Sequence, residues 1–188
     1  MTRTIAGTYG GRQIRTPKGD GTRPTSDRVR EAMFSSLESE LGGFDDVRVL
    51  DLFAGSGALG LESLSRGAVH ATFVESDGRA ASGIRANVRE LGVRDADVVR
   101  TSASAYAERL VDPRFDLVFL DPPYAVGTDL VRGLVAKLAA GPGAGALFVV
   151  ERSTRDPFTW PDGVEPLRDK RYGETTVWYG RALVESPA

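Results

Sequence analysis

The chain has 188 residues, of which 41% are hydrophobic, enough for one domain with a sizeable core. Its 24 basic residues nearly balance 26 acidic ones, it contains no cysteine, and no apolar run approaches the roughly 18 residues of a membrane span. These features exclude disulfides, thiolate metal sites and a membrane-spanning helix. Since no charged-then-apolar leader opens the chain, we expect a cytoplasmic monomer with neither a metal nor a membrane partner.

Positive charge is concentrated at the N-terminus. Residues 1–30 hold seven basic residues against Asp20 and Asp27, a net charge of +5, so the remainder carries -7. A basic segment on an acidic body favours an anionic polymer as the partner.

Glycine-rich turns divide the N-terminal segment. Ile5 and Ile14 flank Gly10-Gly11, which predicts a small hairpin. The segment is too polar to build its own core, so it either packs on the body or becomes ordered on a partner. We therefore expect a basic N-terminal arm over residues 1–24 and one domain over residues 25–188.

A helix is predicted after the arm, because Ser26 can cap its start and apolar residues then recur every fourth position up to Gly42-Gly43. Arg28 and Arg30 lie near its start and need not face the core.

Strands and helices then alternate. Strands are predicted at 47–53, 71–75, 98–99, 115–120 and 146–150, helices at 58–66, 78–91, 103–110 and 130–139, and a closing pair of strands at 164–167 and 175–179. This alternation predicts an α/β fold with a parallel sheet covered by helices on both faces.

A glycine-rich turn follows the first predicted strand of the sheet. Residues 55–60 read G-x-G-x-x-G between a strand and a helix, and Glu75 ends the next strand twenty residues after Gly55. Such a turn lets a ligand approach the backbone, while the acid can bind ribose hydroxyls. A dinucleotide requires a second nucleotide-binding half, for which the chain has little room, and Asp51 suits a cationic ammonium group. The pattern therefore favours S-adenosylmethionine.

Asp121-Pro122-Pro123-Tyr124 directly follows the apolar strand that ends at residue 120. The acid thus lies at the carboxyl end of the sheet, where open α/β sheets bind ligands. Two prolines stiffen the turn, the carboxylate and the Pro122 carbonyl can accept hydrogen bonds, and a tyrosine ring can stack on a planar group. Asp121, Pro122 and Tyr124 are the predicted catalytic residues. The predicted cofactor contacts are Asp51, Ala54, Gly55, Ser56, Gly57, Glu75, Ser76, Ser102, Ala103 and Asp121.

With residues 51–57 and 121–124 on one sheet, the sequence resembles class I S-adenosylmethionine-dependent methyltransferases that act on exocyclic amines. Further stretches are similar to the RsmD family, whose members methylate a guanine N2 amine in 16S ribosomal RNA: Arg23–Glu31, Gly57–Glu62, Phe73–Glu75 and Lys170–Thr175. The resemblance runs from about residue 4 to residue 180. Phe53 departs from the general class I pattern, in which many members have glycine.

The resemblance implies a Rossmann-like sheet of seven strands whose last strand inserts antiparallel to the others. It also implies that Asp121 and the Pro122 carbonyl hold the guanine amine while Tyr124 stacks on a base that has left its helix. Direct methyl transfer then needs no metal. The candidate contacts to ribosomal RNA, or to an assembling small ribosomal subunit, are Arg3, Arg12, Arg15, Lys18, Arg23, Arg28, Arg30, Lys170, Arg171 and Tyr172.

Three other functions remain open. An amine methyltransferase acting on adenine or cytosine of another RNA or DNA would share the Asp-Pro-Pro-Tyr turn. More distant alternatives are an NAD-dependent oxidoreductase and a non-catalytic RNA-binding protein on the same scaffold. His70, Trp160 and Trp178 are interpreted as structural residues.

Overall fold

A seven-stranded sheet organises the computed structural model, which describes residues 2–18, 26–109 and 114–184. A second, two-stranded antiparallel sheet is formed by β1 (Thr2–Arg3) and β2 (Gln13–Ile14), so the predicted hairpin is confirmed. The other elements are α1 (Asp27–Leu41), β3 (Arg48–Leu52), α2 (Ala58–Ser65), β4 (His70–Glu75), α3 (Gly78–Leu91), β5 (Ala96–Arg100), α4 (Ala103–Arg109), β6 (Leu117–Leu120), α5 (Thr128–Ala139), β7 (Leu147–Ser153), β8 (Val164–Tyr172) and β9 (Thr175–Ala182).

The strand order is β5-β4-β3-β6-β7-β9-β8. The first five strands in this order are parallel to one another, whereas β9, the last strand in sequence, lies between β7 and β8 and is antiparallel to both. The inserted last strand implied by the resemblance is therefore confirmed. Because β3, β4, β6 and β7 run the same way, their carboxyl ends meet at one edge of the sheet.

Helices cover both faces of this sheet. Alternate strand residues such as Phe73, Phe119 and Val149 pack with side chains from α1, α2 and α3 in one core cluster. Their neighbours along the strands, such as Val118 and Phe148, pack with α4 and α5 in the other. The two-residue period of the strands thus separates the apolar residues between the two layers.

Several strands are longer than predicted. β7 continues past Val150 through Glu151 and Arg152 to Ser153, and β8 and β9 run on beyond residues 167 and 179. Polar residues make up most of the added parts, so hydrophobic patterning could not find them. The predicted end of α4, residue 110, lies outside the described residues.

Arg30 corrects a prediction about α1. Ser26 caps this helix as expected, with its hydroxyl accepting from the Val29 amide, but the side chain of Arg30 is only 1% exposed. Its guanidinium donates to the Arg3 carbonyl at 2.8 Å and to the Asp27 carboxylate at 2.7 Å. The interpretation that Arg30 need not face the core was wrong, and its position does not support a direct phosphate contact.

The N-terminal arm packs on the body. Glu62 of α2, which is fully buried, accepts hydrogen bonds from the Ile5 amide at 2.7 Å and the Ala6 amide at 3.1 Å. Ile14 is also fully buried within the core cluster shared with α1–α3. The sequence left open whether the arm packs on the body or becomes ordered on a partner. The described part of the arm packs on the body.

None of the helices within residues 2–18, 26–109 and 114–184 has the length and apolar character needed to cross a bilayer.

Docking of the arm on α2 gives a matched pair of variants, Gly7→Ala and Gly11→Ala. Both glycines have a φ of +78°, so each substitution adds left-handed strain of roughly 1–2 kcal/mol. A Cβ at Gly7 would also lie 1.7 Å from the Ser65 carbonyl oxygen, whereas a Cβ at Gly11 meets nothing within 4 Å. We expect Gly7→Ala alone to speed hydrogen exchange of the Ile5 and Ala6 amides markedly. Equal exchange in the two variants would contradict the docking.

Candidate active site

Three acidic residues meet at the carboxyl edge of the sheet: Asp51 on β3, Glu75 at the end of β4 and Asp121 just after β6. Asp51 is 1% exposed and accepts a hydrogen bond from the Gly60 amide of α2 at 3.0 Å. Burial raises the pKa of Asp51 well above its usual range, the charges of Asp121 and Glu75 raise it further, and the bond from Gly60 acts in the opposite direction. The structure thus brings together the three acids that the sequence singled out.

Glu75 fixes the glycine-rich turn. One of its carboxylate oxygens accepts from the Gly55 amide at 2.8 Å and the other from the Asp77 amide at 2.9 Å. Gly55 has a φ of +58°, and a Cβ placed there would meet nothing within 4 Å. The turn is therefore held firmly, while the space beside its backbone stays open to a ligand.

Phe53 takes up a conformation that normally favours glycine. Its φ is +58°, in the left-handed region, and its side chain is partly buried against the core cluster that contains α4 and α5. This geometry explains in physical terms why many class I sequences carry glycine at this point of the turn. Here side-chain packing compensates part of the backbone strain.

Asp121 begins the turn that follows β6 and is half-buried. Burial raises the pKa of Asp121 to about 6, although a hydrogen bond with Glu151 and the positive charge of Arg152 both act to lower it. Pro122 is buried, but Tyr124 is 57% exposed, with its hydroxyl 3.3 Å from the Thr175 hydroxyl of β9. A partly buried acceptor and an exposed aromatic ring therefore lie within four residues.

Arg152 holds the loop that follows Tyr124, a role that sequence reasoning missed. The Arg152 side chain is 2% exposed and donates to the Val126 carbonyl at 2.8 Å, to the Thr128 hydroxyl at 3.1 Å and to the Asp156 carboxylate at 2.8 Å. A signal for it was present in the sequence: Glu151-Arg152 directly follows the apolar run 146–150, as Asp121 follows the apolar run that ends at residue 120.

Asn87 of α3 was also missed. It is 1% exposed, its carbonyl oxygen accepts from the Arg15 amide at 2.8 Å, and its amide nitrogen donates to the carbonyls of Arg15 and Ser56, each at 3.0 Å. One side chain thereby joins the arm to the glycine-rich turn. The only sequence signal was a polar residue on the apolar face of a helix.

The remaining predicted cofactor contacts follow β3, β4 and β5 at the same edge. Ser76 is exposed, and the Ser102 hydroxyl accepts from the Ala105 amide at the start of α4. Ala103 is 6% exposed and packs in the core, and the Ala54 amide donates to the Val74 carbonyl. Ser102 and Ala103 thus have structural roles of their own, and their predicted contacts with adenine remain predictions.

The predicted RNA contacts fall into two groups. Lys170, Arg171 and Tyr172 lie at the end of the β8–β9 hairpin, where Tyr172 pairs with Thr175, the residue that the Tyr124 hydroxyl approaches. The Lys170 ammonium lies over the Tyr172 ring, 5.3 Å from its centroid. The structure therefore places this basic hairpin beside the Asp-Pro-Pro-Tyr turn.

The second group belongs to the arm and α1. Arg3 pairs with Asp27 at 2.8 Å, Arg15 with the Glu90 carboxylate, and Arg12 donates to the Glu90 carbonyl at 3.0 Å. These arginines are exposed, as is Arg28, and Lys18 lies at the end of the described arm, whereas Arg23 lies outside the described residues.

The carboxyl groups at this edge of the sheet fit S-adenosylmethionine better than a dinucleotide. A sulfonium and an ammonium group would find three carboxyl groups here, and a cation would stabilise their ionised forms. The same carboxyl groups would repel a pyrophosphate. In the described part of the chain no cluster of three or more His, Cys, Asp or Glu could hold a metal ion.

The chain is similar to one protein family and to several ribosomal RNA methyltransferases. The family model described as "Conserved hypothetical protein 95" matches residues 2–181. Over 125 residues the chain is 41% identical to Ribosomal RNA small subunit methyltransferase D of Escherichia coli (strain K12). The aligned region covers 66% of this chain and 61% of that protein, so it spans less than two thirds of the relative's length. The protein of the same name from Haemophilus influenzae is 34% identical over 176 residues, 91% of this chain and 89% of that protein.

Among solved structures, yhhF from Escherichia coli matches with a TM-score of 0.85 at 31% identity, over 97% of this chain and 98% of that chain. The similarity therefore includes the arm, the central sheet and the closing hairpin together.

Proposed function

The chain belongs to the Conserved hypothetical protein 95 family, the RsmD family of ribosomal RNA methyltransferases, and we propose that it methylates the exocyclic N2 amine of a guanine in 16S ribosomal RNA. Its sheet has the Rossmann-like fold of class I methyltransferases. The observation that carries the proposal is the Asp121–Tyr124 turn, which starts at a half-buried acceptor on the acidic edge of the sheet and ends at an exposed ring.

We assign S-adenosylmethionine to the edge formed by Asp51, the glycine-rich turn and Glu75. When bound, it supplies a methyl group on a sulfonium sulfur that leaves as a neutral thioether. In this assignment Glu75 accepts from the ribose hydroxyls, and Asp51 balances the positive charge of the ammonium group. The open space beside Gly55 lets the ligand lie against the backbone.

The Asp121 carboxylate and the Pro122 carbonyl are proposed to accept the two hydrogens of the guanine amine. These bonds orient the nitrogen lone pair and favour a tetrahedral nitrogen, which matters because the lone pair of a guanine amine is delocalised into the ring. Since the pKa of Asp121 is about 6, its carboxylate is ionised at neutral pH and can accept hydrogen bonds. Tyr124 is exposed, so a base extruded from a helix can stack on it.

RNA is proposed to lie across the β8–β9 hairpin and towards the arm. Lys170 and Arg171 are exposed, and Tyr172 links this hairpin to the side of the site where Tyr124 lies. Phosphate contacts from such cations position a substrate without reading its sequence. Selection of one guanine then depends on the shape of the folded RNA or of the assembling subunit.

Replacement of Asp121 tests the catalytic assignment. We expect Asp121→Ala to lower the single-turnover rate of methyl transfer roughly a hundredfold or more, because the amine loses its charged acceptor. Binding of S-adenosylmethionine, measured by calorimetry, should fall far less. Asp129→Ala, which removes an exposed acid in the first turn of α5, is the matched control. An unchanged rate in Asp121→Ala would rule out the assigned role.

A second experiment tests the RNA surface. The double variant Lys170→Ala/Arg171→Ala should bind small-subunit RNA more weakly. It should also reduce the slope of log affinity against log salt by about 2, because each of the two cations neutralises one phosphate in the wild type. Arg132→Ala/Lys137→Ala, which removes two exposed cations from α5, should leave both quantities unchanged. If both double variants weakened binding equally, the hairpin would contribute only general charge.

A further inference from the structure

Glu151 is placed against Asp121 by strand register. β6 and β7 are parallel, Leu120 pairs with Val150, and Asp121 and Glu151 are the next residues along the two strands. Their side chains are joined by a hydrogen bond. Since an ionised carboxylate can only accept, a hydrogen bond between two carboxyl groups contains one shared proton.

We propose that Glu151 is a positioning residue that keeps this proton and donates it in a hydrogen bond to Asp121, so that the pair acts as one unit with a single negative charge on Asp121. The inference deepens the proposed function and rests on it, because it assigns a role in presenting Asp121 to the substrate amine. Nothing in the Asp-Pro-Pro-Tyr motif itself indicates this partner.

The surrounding charges favour ionisation of Asp121 rather than of Glu151. Burial raises the pKa of Asp121, while the hydrogen bond with Glu151 and the positive charge of Arg152 on β7 lower it, which is the direction expected if Glu151 donates. The other titratable neighbours are Asp51 on β3, whose pKa is raised in part by Asp121, and Tyr179 on β9, whose own pKa is raised in part by Glu151. Two ionised carboxylates on adjacent strands would repel each other, so one proton is retained by the pair.

The pair also gives the proton of the reaction a destination. As the amine nitrogen forms its bond to the methyl carbon, the electrons of the carbon–sulfur bond remain on sulfur, and the nitrogen gains a positive charge. One of its protons then passes to the Asp121 carboxylate, which leaves both carboxyl groups protonated. Loss of one proton to water restores the starting state.

Two substitutions at Glu151 separate the proposed role from a structural one. In Glu151→Gln the amide still donates to Asp121, so the acid limb of the single-turnover rate against pH should stay where it is in the wild type. In Glu151→Ala the donor is lost, so the acid limb should move up by about one pH unit, which corresponds to a tenfold lower rate on that limb. Glu165→Gln, an exposed acid on β8, is the control.

Rescue by Gln together with the shift in Ala supports the proposal. An unshifted acid limb in Glu151→Ala, or the same shift in both variants, would overturn it. Carboxyl ¹³C chemical shifts of full-length protein labelled at aspartate and glutamate provide a second readout that needs neither turnover nor Glu151→Ala. The wild type should show two coupled titrations for the pair and Glu151→Gln a single one. Independent titrations in the wild type would contradict the shared proton, even if the proposed methyl transfer itself were absent.

Discussion

Burial of carboxyl groups at one edge of the sheet is the constraint on which the site depends. Asp51 accepts from the Gly60 amide, Glu75 accepts from the Gly55 amide, and Asp121 forms a hydrogen bond with the Glu151 side chain. Because burial raises the pKa of Asp121 to about 6, the protonated group contributes stability below about pH 4 that is lost as the pH rises through about 6. At neutral pH the ligand-free site therefore lowers stability, and a cationic ligand offsets this effect.

The arm belongs to this arrangement although it lies outside the central sheet. Glu62 holds its backbone on α2, the helix whose Gly60 amide donates to Asp51. Asn87 connects Arg15 of the arm to the Ser56 carbonyl in the glycine-rich turn. A basic segment suited to RNA is thus joined through two buried polar side chains to the elements assigned to the cofactor. Any displacement of the arm by RNA would act on both connections.

The sequence was sufficient for the strand and helix order, the hairpin and the edge at which the acids meet, because these follow from hydrophobic period and glycine turns. It was not sufficient for Arg30, Asn87, Glu151 and Arg152. Each of these is a polar residue fixed by partners distant in sequence or by strand register, and such pairings have no local pattern. Even so, the position of Glu151-Arg152 directly after an apolar run was a signal comparable to that of Asp121.

The most direct test is the identity of the methylated nucleoside. Small-subunit RNA and particles from cells lacking this protein would be incubated with it and methyl-labelled S-adenosylmethionine, then digested to nucleosides and separated. The account predicts label in N2-methylguanosine. Label in a methylated adenosine or cytidine would contradict the guanine assignment, and the absence of label from every RNA would contradict the proposed reaction.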